Sequence, residues 1–124
     1  MRKLNELEKK WVDYIFKADF RDKDILLNQL KESLVNPTYD TGFISIRFVE
    51  PKGEKYPHNV RVPVEMRAFQ KEMAPIVFLI HVIDGYINEL EIYVADGAEI
   101  YSDVISLDEL EYVIDPMVQL KEEM

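Results

Sequence analysis

The amino-acid pattern predicts an α+β fold: two N-terminal helices packed on one face of a mostly antiparallel meander sheet of about five strands. Three observations lead there. Apolar residues recur at helical spacing as far as Leu30, then at a period of two from Gly42 onward. Two Asp-Gly pairs, Asp84-Gly85 and Asp96-Gly97, interrupt the β-rich stretch 76–105. The chain has only four glycines, and all of them can be spent on turns. A length of 124 residues with 48% hydrophobic side chains suits a single domain, 1–124, around one core.

The first helix is read from Leu4, Leu7, Trp11, Tyr14, Ile15 and Ala18, with Glu6, Lys10, Asp13 and Lys17 between them. One apolar stripe and one charged face make it amphipathic, and Trp11 is its anchor to the core. Asp22 or Asp24 is placed to cap a second helix that carries Ile25, Leu26, Leu27 and Leu30. That helix has ended by Asn36-Pro37, because a residue before proline is pushed out of the helical region.

Ile44, Ile46 and Phe48 alternate with Ser45 and Arg47, and Val60, Val62, Val64 and Met66 alternate with Arg61, Pro63 and Glu65. These read as two half-buried strands joined by a polar turn over residues 50–55. Pro63 has no ladder N–H, so its strand belongs at an edge or turns that position outward. Asp-Gly between β-rich runs marks a hairpin, since both residues tolerate positive φ. A two-residue turn at Asp84-Gly85 pairs Ile83 with Tyr86, Leu79 with Leu90 and Val77 with Ile92. At the second site a two-residue turn sets Val94 against Glu99. A three-residue loop, Ala95-Asp96-Gly97, instead pairs Val94 with Ala98, Ile92 with Ile100 and Leu90 with Ser102, and the apolar pattern selects it. The core face then holds Val77, Leu79, Leu90, Ile92, Val94, Ile100 and Val104. Leu7, Trp11, Ile15, Leu26 and Leu30 are expected over Ile46, Val62, Leu79, Leu90 and Ile92. Ser106 caps a short helix or turn at Leu107-Asp108-Glu109-Leu110-Glu111, and residues 120–124 are expected to fray.

Charge is the most informative property. Residues 84–124 carry twelve acidic side chains against the single base Lys121, while residues 1–83 are nearly balanced. The net charge is -9. Such a field attracts basic partners and repels nucleic acid. In the expected register Glu89, Glu91 and Tyr93 share the outer face of the sheet with Glu99, Tyr101 and Asp103. Glu91 would then lie across from Tyr101, and Glu89 across from Asp103. Like charges directly opposite each other destabilise a sheet. A patch of four carboxylates and two tyrosines is therefore the candidate partner-binding surface. Arg47, Arg61 and Arg67 are expected to pair with acidic residues of the same chain.

No catalytic, metal-binding or cofactor-binding residue is assigned. There is no cysteine, no phosphate-cradling glycine loop, no zinc-type spacing and no nucleophile elbow. His58 is expected at the surface. His81 is read as a structural histidine on the core face, opposite Asn88. A rival reading has Glu89, Glu91 and Asp103 hold a hard cation or act as an acid/base pair, although nothing nearby predicts an enclosed pocket. Self-association through a sheet edge is a third possibility. Residues 1–11 lack the apolar run of a signal peptide, and the longest apolar run, 76–80, is too short to span a bilayer. A cytoplasmic protein without membrane contact is the expectation.

The run from Pro75 through Ile83-Asp84-Gly85-Tyr86 to Tyr93, with Ala95-Asp96-Gly97 after it, resembles a group of small bacterial proteins. So do Asp24-Ile25-Leu26-Leu27-Asn28-Gln29-Leu30 and Arg61-Val62-Pro63-Val64-Glu65. The group includes candidate immunity proteins of polymorphic and contact-dependent growth-inhibition toxins. The resemblance implies an intracellular bacterial protein whose job is binding, and it carries no catalytic motif. The leading expectation is an immunity-type inhibitor that binds and neutralises a basic, nuclease-like toxin C-terminal domain, and the alternative is an acidic binding or regulatory module without a toxin partner. Charge agrees in sign, because a toxin that cuts nucleic acid is basic where it grips phosphate.

Overall fold

The structure is a computed structural model that describes residues 1–120. Two helices, α1 (Glu6–Ile15) and α2 (Lys23–Leu30), precede six strands. These are β1 (Leu34–Tyr39), β2 (Ile44–Val49), β3 (Val64–Ala68), β4 (Ile76–Ile83), β5 (Tyr86–Val94) and β6 (Leu110–Ile114). They form one sheet in the order β1-β2-β5-β4-β3-β6, with every pair antiparallel. The fold is therefore α+β. Only β3, β4 and β5 run as a meander. The β1–β2 hairpin docks on β5, and β6 docks on β3.

Helix α1 starts at a reciprocal cap: the Asn5 side chain accepts from the Glu8 amide at 2.8 Å, and the Glu8 carboxylate accepts from the Asn5 amide at 2.9 Å. Trp11, Val12 and Ile15 of this helix and Leu26 of α2 share a buried core with Ile44, Ile46, Met66, Phe78, Leu90 and Ile92 of the sheet. The Trp11 and Phe78 rings sit 6.2 Å apart. Asp22 precedes α2 with a left-handed backbone and makes no side-chain cap. Its carboxylate meets His58 Nε2 at 2.8 Å instead, so His58 is only partly exposed.

The first Asp-Gly hairpin forms with Ile83 opposite Tyr86, and Gly85 takes φ +84°. The expected register fails beyond it. A bulge leaves Asn88 without a partner, so Leu79 faces Glu91, Val77 faces Tyr93 and Ile80 faces Leu90. Ile76, Phe78, Ile80 and Val82 are the core residues of β4, while Val77 and Leu79 lie on the second face. His81 moves with them, onto the second face opposite Glu89.

The second Asp-Gly pair does not make a hairpin. Gly97 turns at φ +79°, and the chain then leaves the sheet to cross its end. The place beside β5 belongs to β2, which pairs Ser45 with Glu91 and Arg47 with Glu89. The strands β2 and β3 do not pair either. Residues 50–62 form a connection pinned by Tyr56, whose amide donates to Gly85 O at 2.8 Å and whose hydroxyl donates to Arg21 O at 2.6 Å. Pro63, without a ladder N–H, stands just before β3, which is an inner strand between β4 and β6 and not an edge, and Val60 and Val62 lie outside any strand. Ser106 caps a turn through the Asp108 amide at 3.3 Å, but Leu110 and Glu111 begin β6 and not a helix. The expected fraying at 121–124 lies outside the described residues. No helix among the described residues is long and apolar enough to cross a membrane.

Candidate binding surface at the acidic end of the sheet

The six residues singled out from sequence do not share one face. Glu89, Glu91 and Tyr93 lie on the second face of β5. Glu99 and Tyr101 lie on the connection after it, and Asp103 lies in the short 3₁₀ turn Ser102–Val104.

On the second face Glu65, Glu89 and Glu91 each meet a hydrogen-bond donor. Glu89 accepts from the Ser45 hydroxyl and faces Arg47. Glu91 lies 2.8 Å from His81 Nε2, and Arg61 Nε donates to His81 Nδ1 at 3.1 Å. With Nδ1 accepting from Arg61, it is Nε2 that carries a proton toward Glu91. Arg67 donates to Glu65 at 2.6 Å, and the guanidinium is held more firmly protonated by that bond. Burial, with Glu65 and Glu91 nearby, pushes the Tyr93 phenol up. Glu111 shares this face, opposite Arg67.

The surplus of acidic charge lies elsewhere. The β1–β2 turn, the β3–β4 turn and the β5–β6 connection all fall at one end of the sheet. Residues 40–43, 69–75 and 95–109 together carry seven acidic side chains and one base, Lys71. All seven acids are exposed. The two connections at the opposite end, 50–62 and 84–85, are balanced, with three acids and three bases. Exposed apolar side chains gather at the same acidic end: Phe43, Phe69, Met73, Tyr101 at 61% and Val104 at 69% exposure. Phe69, Met73 and Val104 line a groove whose other walls include Asp108 and Glu109.

The acidic connection is held in place at several points. The Ile100 amide donates to Thr41 O at 2.8 Å, and the Ile100 side chain is buried. Gln70 donates to Ser106 O at 2.8 Å and accepts from the Ser106 amide at 2.9 Å. The Phe69 amide donates to Glu109 O at 2.9 Å. Tyr101 donates to Glu99 at 2.7 Å, which pushes its phenol up. Acidic groups on a fixed backbone beside exposed aromatics suit a basic protein surface.

Among the described residues no group of three or more acidic, histidine or cysteine side chains is placed to hold a metal ion. The trio Glu89, Glu91 and Asp103 is not brought together. Sequence reading missed Asp40, Phe43, Phe69, Met73 and Val104, because topology alone joins the three connections. The signal that was available is the run 95–109, five acids without a base.

Fold and surface define a small α+β domain with one strongly acidic sheet end. The chain belongs to the family described as a domain of unknown function (DUF6984), whose model matches residues 1–103. That match spans both helices, β1 to β5 and the first part of the acidic connection. No curated protein and no solved structure matches the chain.

Proposed function

We propose that this chain is an immunity-type inhibitor, a binding protein and not an enzyme, that covers a basic, nuclease-like toxin domain with the acidic end of its sheet. One observation carries the reading: three connections converge seven exposed acids, one base and five exposed apolar side chains on one end of the molecule. Glu99, Tyr101 and Asp103 belong to this surface, joined by Asp108, Glu109 and Phe69. Glu89, Glu91 and Tyr93 lie on the second face and are not its centre. The same field disfavours nucleic acid, and the toxin's phosphate-binding groove is the complementary target. Tyr101 and Phe69 provide contact area at low entropy cost, and the carboxylates provide encounter rate and orientation.

The test begins with the gene that precedes this one in its genome, and with co-purification of its product's basic C-terminal domain. Within that complex, Asp103→Lys combined with Glu109→Lys is expected to weaken binding by about a hundredfold, mostly through slower association. Tyr101→Ala is expected to cost about tenfold. Glu54→Lys at the far end and Glu89→Gln on the second face should leave affinity unchanged. An affinity that falls with Glu89→Gln and ignores the double reversal moves the interface to the second face and refutes this reading.

A further inference from the structure

The two edges of the sheet are finished differently. At β1 the Asp40 amide donates to Phe43 O at 2.9 Å, which continues the β1–β2 register. By the alternation of an antiparallel ladder, Val35, Pro37 and Tyr39 then point their backbone groups outward. Val35 exchanges both of its bonds with Arg2, at 3.1 and 2.7 Å. Pro37 has no N–H to offer. This edge offers a further strand little beyond the Pro37 carbonyl and the Tyr39 backbone groups.

At β6 the Phe69 amide donates to Glu109 O at 2.9 Å and the Asp115 amide to Pro63 O at 3.1 Å, both in the β3–β6 register. Glu111 and Val113 therefore bond inward, and Leu110, Tyr112 and Ile114 turn N–H and C=O outward. Among the described residues one group reaches these positions: the exposed Gln119 side chain donates to Ile114 O at 3.1 Å. No proline or bulge interrupts the strand.

We infer that this chain pairs with a second copy of itself through β6, giving one continuous sheet across a two-fold axis at Tyr112. The register is self-complementary. Leu110 faces the second copy's Ile114, Tyr112 faces Tyr112, and Glu111 faces Val113. No like charges stand opposite each other, which is the usual penalty for self-pairing an edge. The Tyr112 pair and the bonds from Ile114 N–H to Leu110 O form without displacing any group among the described residues, and two more form once Gln119 swings away. Antiparallel pairing also sends the two acidic ends in opposite directions along the strands. Their repulsion is small there, and both remain open to a partner.

The chain has no cysteine, so an engineered one reports register cleanly. Glu111→Cys and Val113→Cys each alter an exposed position. Under oxidation a mixture of the two variants is expected to cross-link, because residues 111 and 113 are directly opposed. Either variant alone is expected to stay uncross-linked, since its own cysteines stand on a diagonal of roughly 7–8 Å, beyond disulfide reach. Sedimentation of the unmodified chain should show mass rising from 14.6 kDa toward twice that value with concentration. Gln119→Ala should tighten the dimer by several-fold by freeing Ile114 O, which a loss of fold cannot imitate. Val113→Glu, which faces Glu111 twice in the dimer, should weaken it about tenfold. A constant monomer mass, or cross-linking as fast within one variant as in the mixture, overturns the inference.

Discussion

Replacing Glu8 by alanine probes the tie between α1 and the N-terminal side of the sheet. Its carboxylate is fully buried. Arg2 donates to both oxygens at 2.6 and 2.8 Å, the Tyr39 hydroxyl donates at 2.5 Å, and the Asn5 amide at 2.9 Å. Alanine removes the acceptor from all of them and deletes half of the helix cap. Arg2 and Tyr39 are partly exposed and can turn to water, so their loss counts for less than a buried orphan would. Loss of the charge-assisted bonds and of the cap sums to about 3 kcal/mol. For 124 residues, an unfolding entropy of about 2 cal/mol/K per residue makes each kcal/mol about 4 °C. Thermal unfolding followed by circular dichroism should therefore fall by roughly 12 °C. Amide exchange at Val35 should also quicken, because Arg2 bonds it at that edge. Burial alone would raise the Glu8 carboxyl, but the bonds from Arg2, Tyr39 and the Asn5 amide outweigh it and hold the group below its ordinary value of 4.5. A depressed folded value means its stabilisation is full above the unfolded value and fades as pH falls through the folded one. The gap in Tm between the unmodified chain and Glu8→Gln should thus narrow in acid. A drop of less than about 3 °C in Glu8→Ala, or a gap that widens as pH falls, would refute this account.

Two further outcomes follow from side-chain amides that act as staples. Gln29 is buried and donates to Glu54 O and Gly85 O while accepting from the Ile87 amide, all at 2.8 Å. Gln29→Leu strands the buried Ile87 amide and takes one donor each from Glu54 O and Gly85 O, the latter keeping the Tyr56 amide. It should cost about 2–3 kcal/mol, read as a lower Tm with faster exchange at Ile87. Gln70→Ala releases Ser106 and so loosens the acidic connection. Affinity for the proposed basic partner should fall several-fold by calorimetry while Tm moves by only a few degrees, because ordering of the connection then opposes binding.

Helix α1 was legible because its stripe is long and regular and its burial follows it. The β4–β5 hairpin was legible at its turn, where Asp84-Gly85 admits one geometry, but not along its length. Ile87 and Leu90 are both core residues, three apart, and that spacing breaks a period of two. It is the local mark of the bulge, and ignoring it reversed the faces of Val77, Leu79 and His81. Strand β1 was hidden by Pro37, which an edge strand tolerates and a central one does not. Strand β6 was hidden by the acids around it, although Leu110, Tyr112 and Ile114 do alternate. The second Asp-Gly pair misled because a turn fixes a change of direction, while pairing depends on which strand is free to receive the chain. The place beside β5 was already filled by β2, a long-range choice that no local signal encodes. That error split the candidate site, since Glu99, Tyr101 and Asp103 were tied to a strand that does not exist.

The division of charge between the second face and the sheet end has a physical origin. On a sheet face each side chain has fixed neighbours about 5 Å away, so an unmatched carboxylate opposite another destabilises the fold directly. Glu89 and Glu91 are accordingly met by Ser45, Arg47 and His81, and Glu65 by Arg67. Connections carry no such constraint. Their acids point into water, separated by distances at which salt screens much of the repulsion. Surplus negative charge therefore destabilises this fold least at the three connections, and there it is also most available to a partner. A surplus that served solubility alone would gain from being spread over both ends, yet the two connections at the far end are balanced. Concentrating it beside Tyr101, Phe69 and Val104, on a connection stapled by Gln70 and Thr41, places charge and contact area on one rigid surface. Recognition of a basic protein needs both together.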